Sequence, residues 1–478
     1  MPARSSSRLR ACVLATVAVT LTLTAAIATE AATPNRPHAV GLGDSYVPAA
    51  GNPGYDVQHY GIAARYRPGS GLLTGRTAVT FRATSRLRTF NLDLLLAVDS
   101  VTVNGTRTPF RQTRHELTVR PAGAVRRGSR VVVRVRYHGR PAGIRYGGDR
   151  PFVATATGAI AVGEPGVAAW WFPSNDHPSD KARFDVSLTV PKGFEAVSNG
   201  ALVSRRGAHR RAVWRWSVNS PMATYLAFAA FGRYDLTRGR SASGLRYLYA
   251  FERGLGHQSR PARMSVRRTP AIVDWLQAKW GAYPFRNLGG VVPNVRLGFA
   301  LENQTRPVYG RDLFRYGVDR SVVVHELAHQ WFGDKVSLSR WHNIWLNEGF
   351  ATYSEWLWEQ HRGGRSPARR LRSTYRAFEP SSAFWDLEIG NPGPARMFDD
   401  AVYDRGAMVV QALRHRLGSR TFFNVVRRWT HADRTGSIAG FRRLAGRISG
   451  QRLTGFFQHW LFSGTRPAAT AENGLEGV

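Results

Sequence analysis

Two histidines four residues apart, with a glutamate beside the first, are the residues best suited to chemistry: His325-Glu326-Leu327-Ala328-His329. On a helix, positions i and i+4 share a face, so both imidazoles can reach one metal ion. Glu326 then stands where a carboxylate takes a proton from a water beside that ion. Val322, Val323, Val324, Leu327, Ala328, Trp331 and Phe332 flank the motif and predict a buried helix. Buried His and Glu need partners, and a metal supplies one.

A third ligand completes such a site. A His six residues after His329 would define one class of zinc peptidase, but Lys335 stands there. The alternative is a Glu on the following helix. Trp345-Leu346-Asn347-Glu348-Gly349-Phe350-Ala351 supplies it, with eighteen residues between His329 and Glu348. Two His and one carboxylate leave a fourth tetrahedral position open, as a catalytic zinc needs. Glu355 lies seven residues further on, two turns along the same face. It reads either as an outer acceptor for a ligand His N–H or as a plain exposed carboxylate.

The elements that must hold these residues change character along the chain. From about 33 to 240 the period is two: Phe184, Val186, Leu188 and Val190 alternate with polar residues, as do Val133, Val135 and Tyr137. Asn104-Gly105 and Asn199-Gly200 read as hairpin turns. Helical signals follow. Thr269 and Pro270 open one helix that Gly281 closes, and Ser321 to Phe332 forms a second. A third falls within Trp341 to Trp358 and a fourth spans Asp400 to Leu417; Arg362 to Arg376 reads as a loop entering a helix. Trp331, Trp341, Trp345, Trp356 and Trp358 are expected in the core beneath the metal helices. The expected fold is multidomain α+β: an antiparallel β saddle or sandwich over 33–240, a mainly helical domain over 241–465 and a flexible tail over 466–478.

Residues 1–32 read as a signal peptide. Arg4, Arg8 and Arg10 precede an apolar run from Ala11 to Ile27, and Ala26-Ile27-Ala28 offers a cleavage site. A secreted protein with no membrane span after processing is expected. The one Cys, Cys12, would leave with that segment, which excludes disulfides and thiolate chemistry. The net charge is +35, yet only Lys181, Lys192, Lys279 and Lys335 among the 67 basic residues are Lys. The Arg residues are spread along the chain, which predicts a solvated basic surface and no specific nucleic-acid face.

The motifs together resemble the aminopeptidase N family of gluzincin zinc peptidases, leukotriene hydrolase relatives included. His325 to Gly333 (H-E-L-A-H-Q-W-F-G) and Trp345 to Ala351 (W-L-N-E-G-F-A) match its zinc motifs. Ala300-Leu301-Glu302-Asn303 resembles the end of G-A-M-E-N, with Phe299 in place of Gly and Leu301 in place of Met. Tyr403-Asp404-Arg405-Gly406-Ala407 resembles Y-x-K-G-A, with Arg405 for Lys. Glu164-Pro165 and Phe172 to Pro178 resemble E-P and F-P-C-x-D-E-P; Val162 stands where a Gln is usual.

The resemblance implies a saddle-like β domain before a thermolysin-like catalytic domain, with one zinc per chain held by His325, His329 and Glu348. It implies Glu326 as the base, Tyr403 as the oxyanion donor, and Glu302 and Glu164 as carboxylates for a substrate's free α-amino group. It also implies a short form without the family's C-terminal helical domain, hence a more open site. The expected activity is removal of N-terminal residues from peptides. An endopeptidase or an ester or epoxide hydrolase on the same scaffold is the alternative, followed by a basic binding protein without catalysis. His177 and His342 are expected to pack or face solvent.

Overall fold

The alternating stretches of the N-terminal half pair into a long twisted sheet. A computed structural model describes residues 41–155, 157–432 and 435–477, and these fall within one unit running from His38 to Val478. The expected signal peptide lies outside the described residues. Eight strands form the largest sheet, in the order 201–208, 211–223, 181–191, 55–67, 72–83, 130–139, 97–103, 106–107. Phe184, Val186, Leu188 and Val190 all face the core while Arg183 and Asp185 face water, as the period of two requires. Neighbours in this sheet are antiparallel except for one pair: Tyr55–Arg67 runs parallel to Lys181–Pro191. Alternation reveals which face is buried but not the direction of a partner strand. Smaller sheets of four and three strands pack beside it.

One predicted hairpin is present. Asn104 and Gly105 have φ of 50° and 92° between antiparallel strands 97–103 and 106–107, the left-handed pair that a two-residue turn demands. Asn199-Gly200 is different. It carries the chain from the four-stranded sheet into the eight-stranded one, and the flanking strands do not pair with each other. Buried Asn199 donates to the carbonyls of Leu226 and Gln304 and accepts from Phe228 N–H, so its side chain joins segments distant in sequence.

The second half centres on a five-stranded mixed sheet, in the order 234–240, 246–252, 287–292, 308–309, 300–301. Its first strand precedes residue 240, where the period changes, because that strand also alternates. Helices pack against it. Thr269–Trp280 forms as expected, but Thr269 is no cap: its hydroxyl donates back to Val266 O at 2.7 Å. The helix carrying His325 spans Ser321–Ala328, shorter than the predicted span to Phe332, and His329 is its C-cap, still in helical conformation. Asp319 caps it, accepting from the backbone N–H of Ser321 and Val322. The chain then tightens through 329–333 and turns at Gly333, whose φ is 119°. The remaining helices of the site are Trp345–His361 and Asp400–Leu417, and the stretch from Arg362 to Arg376 is loop only at its start, since the helix Pro367–Ala377 fills the rest of it.

Two glycines set how closely the last two site helices approach. A Cβ on Gly406 would stand 2.9 Å from Gly349 Cα, and one on Gly349 would stand 2.6 Å from Trp345 Nε1. Trp345 Nε1 donates across the crossing to Gly406 O at 3.1 Å. This contact places Glu348, one residue before Gly349, opposite Tyr403, three residues before Gly406.

The segment after 465, expected as a flexible tail, is packed. Leu475 and Asn473 are buried, Trp460 Nε1 donates to Asn473 O at 3.0 Å, and Tyr375 OH donates to Pro467 O at 2.7 Å. Its small and polar residues hid an apolar anchor and two aromatic partners contributed by earlier helices.

Candidate metal and peptide site

One turn of helix brings His325 and His329 together, their rings 4.8 Å apart and edge to face. Glu348 arrives from the next helix. Its Oε2 lies 3.2 Å from His325 Nε2 and 3.5 Å from His329 Nε2. One donor atom from each of the three residues lies within 4.8 Å of one from each of the others. The 3.2 and 3.5 Å separations are close to those between ligand atoms that each stand about 2 Å from one tetrahedral ion.

The outer nitrogens are already committed. His325 Nδ1 meets Glu355 Oε1 at 2.7 Å, and His329 Nδ1 meets Phe332 O at 3.0 Å. With Nδ1 donating in both rings, both Nε2 lone pairs face Glu348. Two imidazoles and one carboxylate without a thiolate suit zinc, so donors and orientation both fit that ion. Glu355 is therefore the outer acceptor of the two readings left open by sequence, and its second oxygen accepts from Ser321 Oγ at 2.6 Å.

Burial opposes every charge in the site, and the neighbouring groups decide which charges survive. Burial pushes Glu348 up, but His329 and His325 pull it down to about 2. Burial disfavours charge on His329, yet Glu348 and Glu302 raise it to about 9. Burial lifts Glu326 to about 8 against the pull of the imidazoles.

The same cleft, about 730 Å³, is lined by Glu164, Glu302, Glu326 and Tyr403 together with the ligands. Glu302 is 2% exposed. Its Oε1 accepts from Tyr225 OH at 3.0 Å, and its carbonyl accepts from Gln330 Nε2 at 2.9 Å. Glu302, Glu326 and His329 form a second close group, again within 4.8 Å. Glu164 Oε1 has no hydrogen-bond partner, and burial followed by Glu302 and Glu348 raises its pKa well above the ordinary value. Tyr403 stacks on His325 with ring centres 5.9 Å apart. Burial, reinforced by the surrounding carboxylates, keeps its hydroxyl protonated and so a donor.

Every site residue read from sequence thus lines one cleft. Phe299, 40% exposed, and the missed Phe398 flank its mouth. Arg405 is turned away from the cleft. It is fully buried and holds the carbonyls of Trp385, Leu387 and Ser463, which makes it a clasp between a segment before it and one after it. Tyr225 and Gln330 were also missed. Gln330 sits inside the quoted zinc motif, but nothing in the sequence marks Tyr225. The five Trp are buried as expected. His177 pairs with Asp44 at 3.2 Å, a packing role.

A β saddle leading into helices that present two His, a Glu and a ring of acids defines a metallopeptidase architecture. Residues 59–226 match the Peptidase M1 N-terminal domain, and residues 316–460 match the Peptidase family M1 domain. Together the matches cover more than half of the sequence, and the chain belongs to peptidase family M1. Among curated relatives, aminopeptidase M1-D of Oryza sativa subsp. japonica is 29% identical over 276 residues, 52% of this chain and 30% of that protein. The leucyl aminopeptidase of Saccharolobus solfataricus is 25% identical, covering 56% of this chain and 36% of that protein. The matched segments thus span about a third of the length of these relatives. An M1 zinc metallopeptidase from Deinococcus radiodurans, solved with a Tyr-Ser-Ala substrate, superposes with a TM-score of 0.81 at 27% identity, covering 90% of this chain and all of that one.

Proposed function

We propose that this chain is a zinc-dependent aminopeptidase that hydrolyses the first peptide bond of substrates with a free N-terminus. The observation that carries this reading is Glu302, a buried carboxylate grouped with Glu326 and His329. His325, His329 and Glu348 would hold one zinc ion, which when bound would supply Lewis-acid polarisation and acidify water. Glu326 takes the proton from the attacking water and returns it to the leaving amine. Tyr403 donates to the carbonyl oxygen as negative charge develops there. Glu302 and Glu164 bind the substrate's ammonium group, which sets the distance from the N-terminus to the zinc. An interior stretch of peptide has no cation to offer and leaves these acids unpaired.

Export is part of the proposal, resting on the basic and apolar pattern of residues 1–32. No described helix is long and apolar enough to cross a membrane. The test of function compares a free peptide with its N-acetylated form, with and without chelator. Cleavage of the free form alone, abolished by chelation, is expected. Equal cleavage of both forms overturns the aminopeptidase reading.

A further inference from the structure

The β domain contains a second group of metal-type ligands far in sequence from the zinc motifs. Asp93 ends strand Phe90–Asp93 and Glu116 begins strand Glu116–Val119, and the two stand directly opposite each other in the sheet. Like charges at opposed positions repel, and this pair is buried, Asp93 being 2% exposed and Glu116 5%. Neither oxygen of Glu116 has a hydrogen-bond partner, nor does Asp93 Oδ1. A buried carboxylate without partners is costly. Among the described residues, no Lys or Arg forms an ion pair with either acid.

His115 supplies a third ligand. Its Nε2 lies 3.5 Å from Glu116 Oε1, and one donor atom from each of Asp93, His115 and Glu116 lies within 4.8 Å of the others. Ala49 O approaches the same nitrogen at 3.2 Å. The other ring nitrogen, Nδ1, meets Tyr146 OH at 2.6 Å. Ala49 O only accepts, so Nε2 donates to it and Tyr146 OH donates to Nδ1, the reverse of the arrangement at His325. A cation at Nε2 displaces that proton while Tyr146 still orients the ring. We propose that Asp93, His115 and Glu116, with the carbonyl of Ala49, form a second divalent-cation site of structural type, taking zinc or manganese.

The donor chemistry selects the class. An imidazole beside two carboxylates favours zinc or manganese over calcium, which prefers an all-oxygen shell. A cation here also resolves the electrostatics. Burial drives Glu116 up to about 7, and burial with Glu116 and Asp176 drives Asp93 well above the carboxylate range. Burial lowers His115, so the ring offers no compensating charge. The ion would join the segment at Ala49 to the sheet edge. Asp93 Oδ2 also accepts from Asp176 N–H at 2.8 Å, and Asp176 accepts from Thr224 Oγ1 at 2.7 Å. Thr224 adjoins Tyr225, the partner of Glu302, so the site braces the loops behind the ammonium pocket.

The test uses the full chain, dialysed against zinc or manganese, then against buffer, with metal counted by mass spectrometry. A His325→Ala/His329→Ala variant removes the first site. It is expected to retain one equivalent of metal and to melt at a higher temperature with either ion than without. Adding Glu116→Gln, or His115→Ala should the former fail to fold, is expected to abolish both effects. In otherwise wild-type protein, the same single changes should leave one equivalent of metal, held at the first site. The proposal is overturned if the double-His variant binds neither ion and its melting is unchanged by them, the behaviour of two acids sharing a proton. It is equally overturned if the bound metal survives both Glu116→Gln and His115→Ala.

Discussion

Glu355 Oε1 stands 2.7 Å from His325 Nδ1, and the glutamate's other oxygen is held by Ser321 from the start of the histidine's own helix. The two site helices are thereby locked in the orientation that points His325 Nε2 at Glu348. Removing such an outer partner typically costs about 10- to 100-fold in metal affinity. Glu355→Ala is expected to fall in that range by competition with a chelator, with kcat of the zinc-saturated enzyme changed far less than affinity. An unchanged zinc affinity would falsify the positioning role.

Glu326 and Tyr403 are expected to separate binding from chemistry. Glu326→Gln should retain zinc, because the ligands and their outer partners are untouched, yet lose nearly all turnover because no group moves the proton. Tyr403→Phe should lower kcat by about 100-fold or more, as loss of one oxyanion donor does. The parallel measurement is zinc content and kcat for each variant. Near-normal turnover in either shows that another group performs that step.

Much of the site was legible because metal chemistry restricts both residue type and spacing. His325, His329 and Glu348 had to share a face or a neighbouring helix, whereas the close helix crossing at Gly349 and Gly406 emerges only from the structure. The two-residue turn at Asn104-Gly105 was legible from its need for positive φ. Asn199-Gly200 shows the limit: the same dipeptide joins two sheets, because long-range bonds to Leu226, Gln304 and Phe228 fix it. Tyr225 was invisible for the same reason. Its hydroxyl reaches Glu302, 77 positions further along the chain, only after the intervening segment folds back. The packed segment after 465 was misread because its partners, Tyr375 and Trp460, lie on helices whose faces the sequence did not order.

The buried pair of Asp44 and His177 gives the fold a defined acid sensitivity. Burial alone would raise Asp44, but His177 and the N–H groups of Tyr46 and Trp341 hold it at about 2, below its ordinary 3.8. An acid with a depressed folded pKa stabilises the fold above its unfolded value and loses that contribution as pH falls through the folded one. The stabilising effect is therefore full above about pH 4 and is lost toward pH 2. Asp44→Asn is expected to cost about 1–3 kcal/mol near neutrality, since it replaces a charged acceptor of three donors. The gap from wild type should narrow below pH 4. Denaturant unfolding of both proteins in chelator, which removes zinc loss from the comparison, checks this. A gap independent of pH between 5 and 2.5 contradicts the assignment.

In the proposed reaction, Glu302 decides where the substrate stops. Its carboxylate is 2% exposed and is oriented by Tyr225 OH at 3.0 Å. In a water-poor pocket, an ammonium ion gains a charge-assisted bond that a neutral amide cannot make. Losing one such bond costs about 1.5–3 kcal/mol, and misplacing the scissile carbonyl adds to it. Glu302→Ala is therefore expected to lower kcat/KM for a free peptide by about 10- to 1000-fold. Glu164→Ala should cost less, because Val162 gives that side of the pocket an apolar neighbour. Tyr225→Phe leaves the charge of Glu302 in place but frees its rotamer, so its effect should be smaller than that of Glu302→Ala. The three variants are compared with wild type on one free peptide and its acetylated form. Preference for the free form should collapse in Glu302→Ala, and a preference that survives there places the ammonium elsewhere in the cleft.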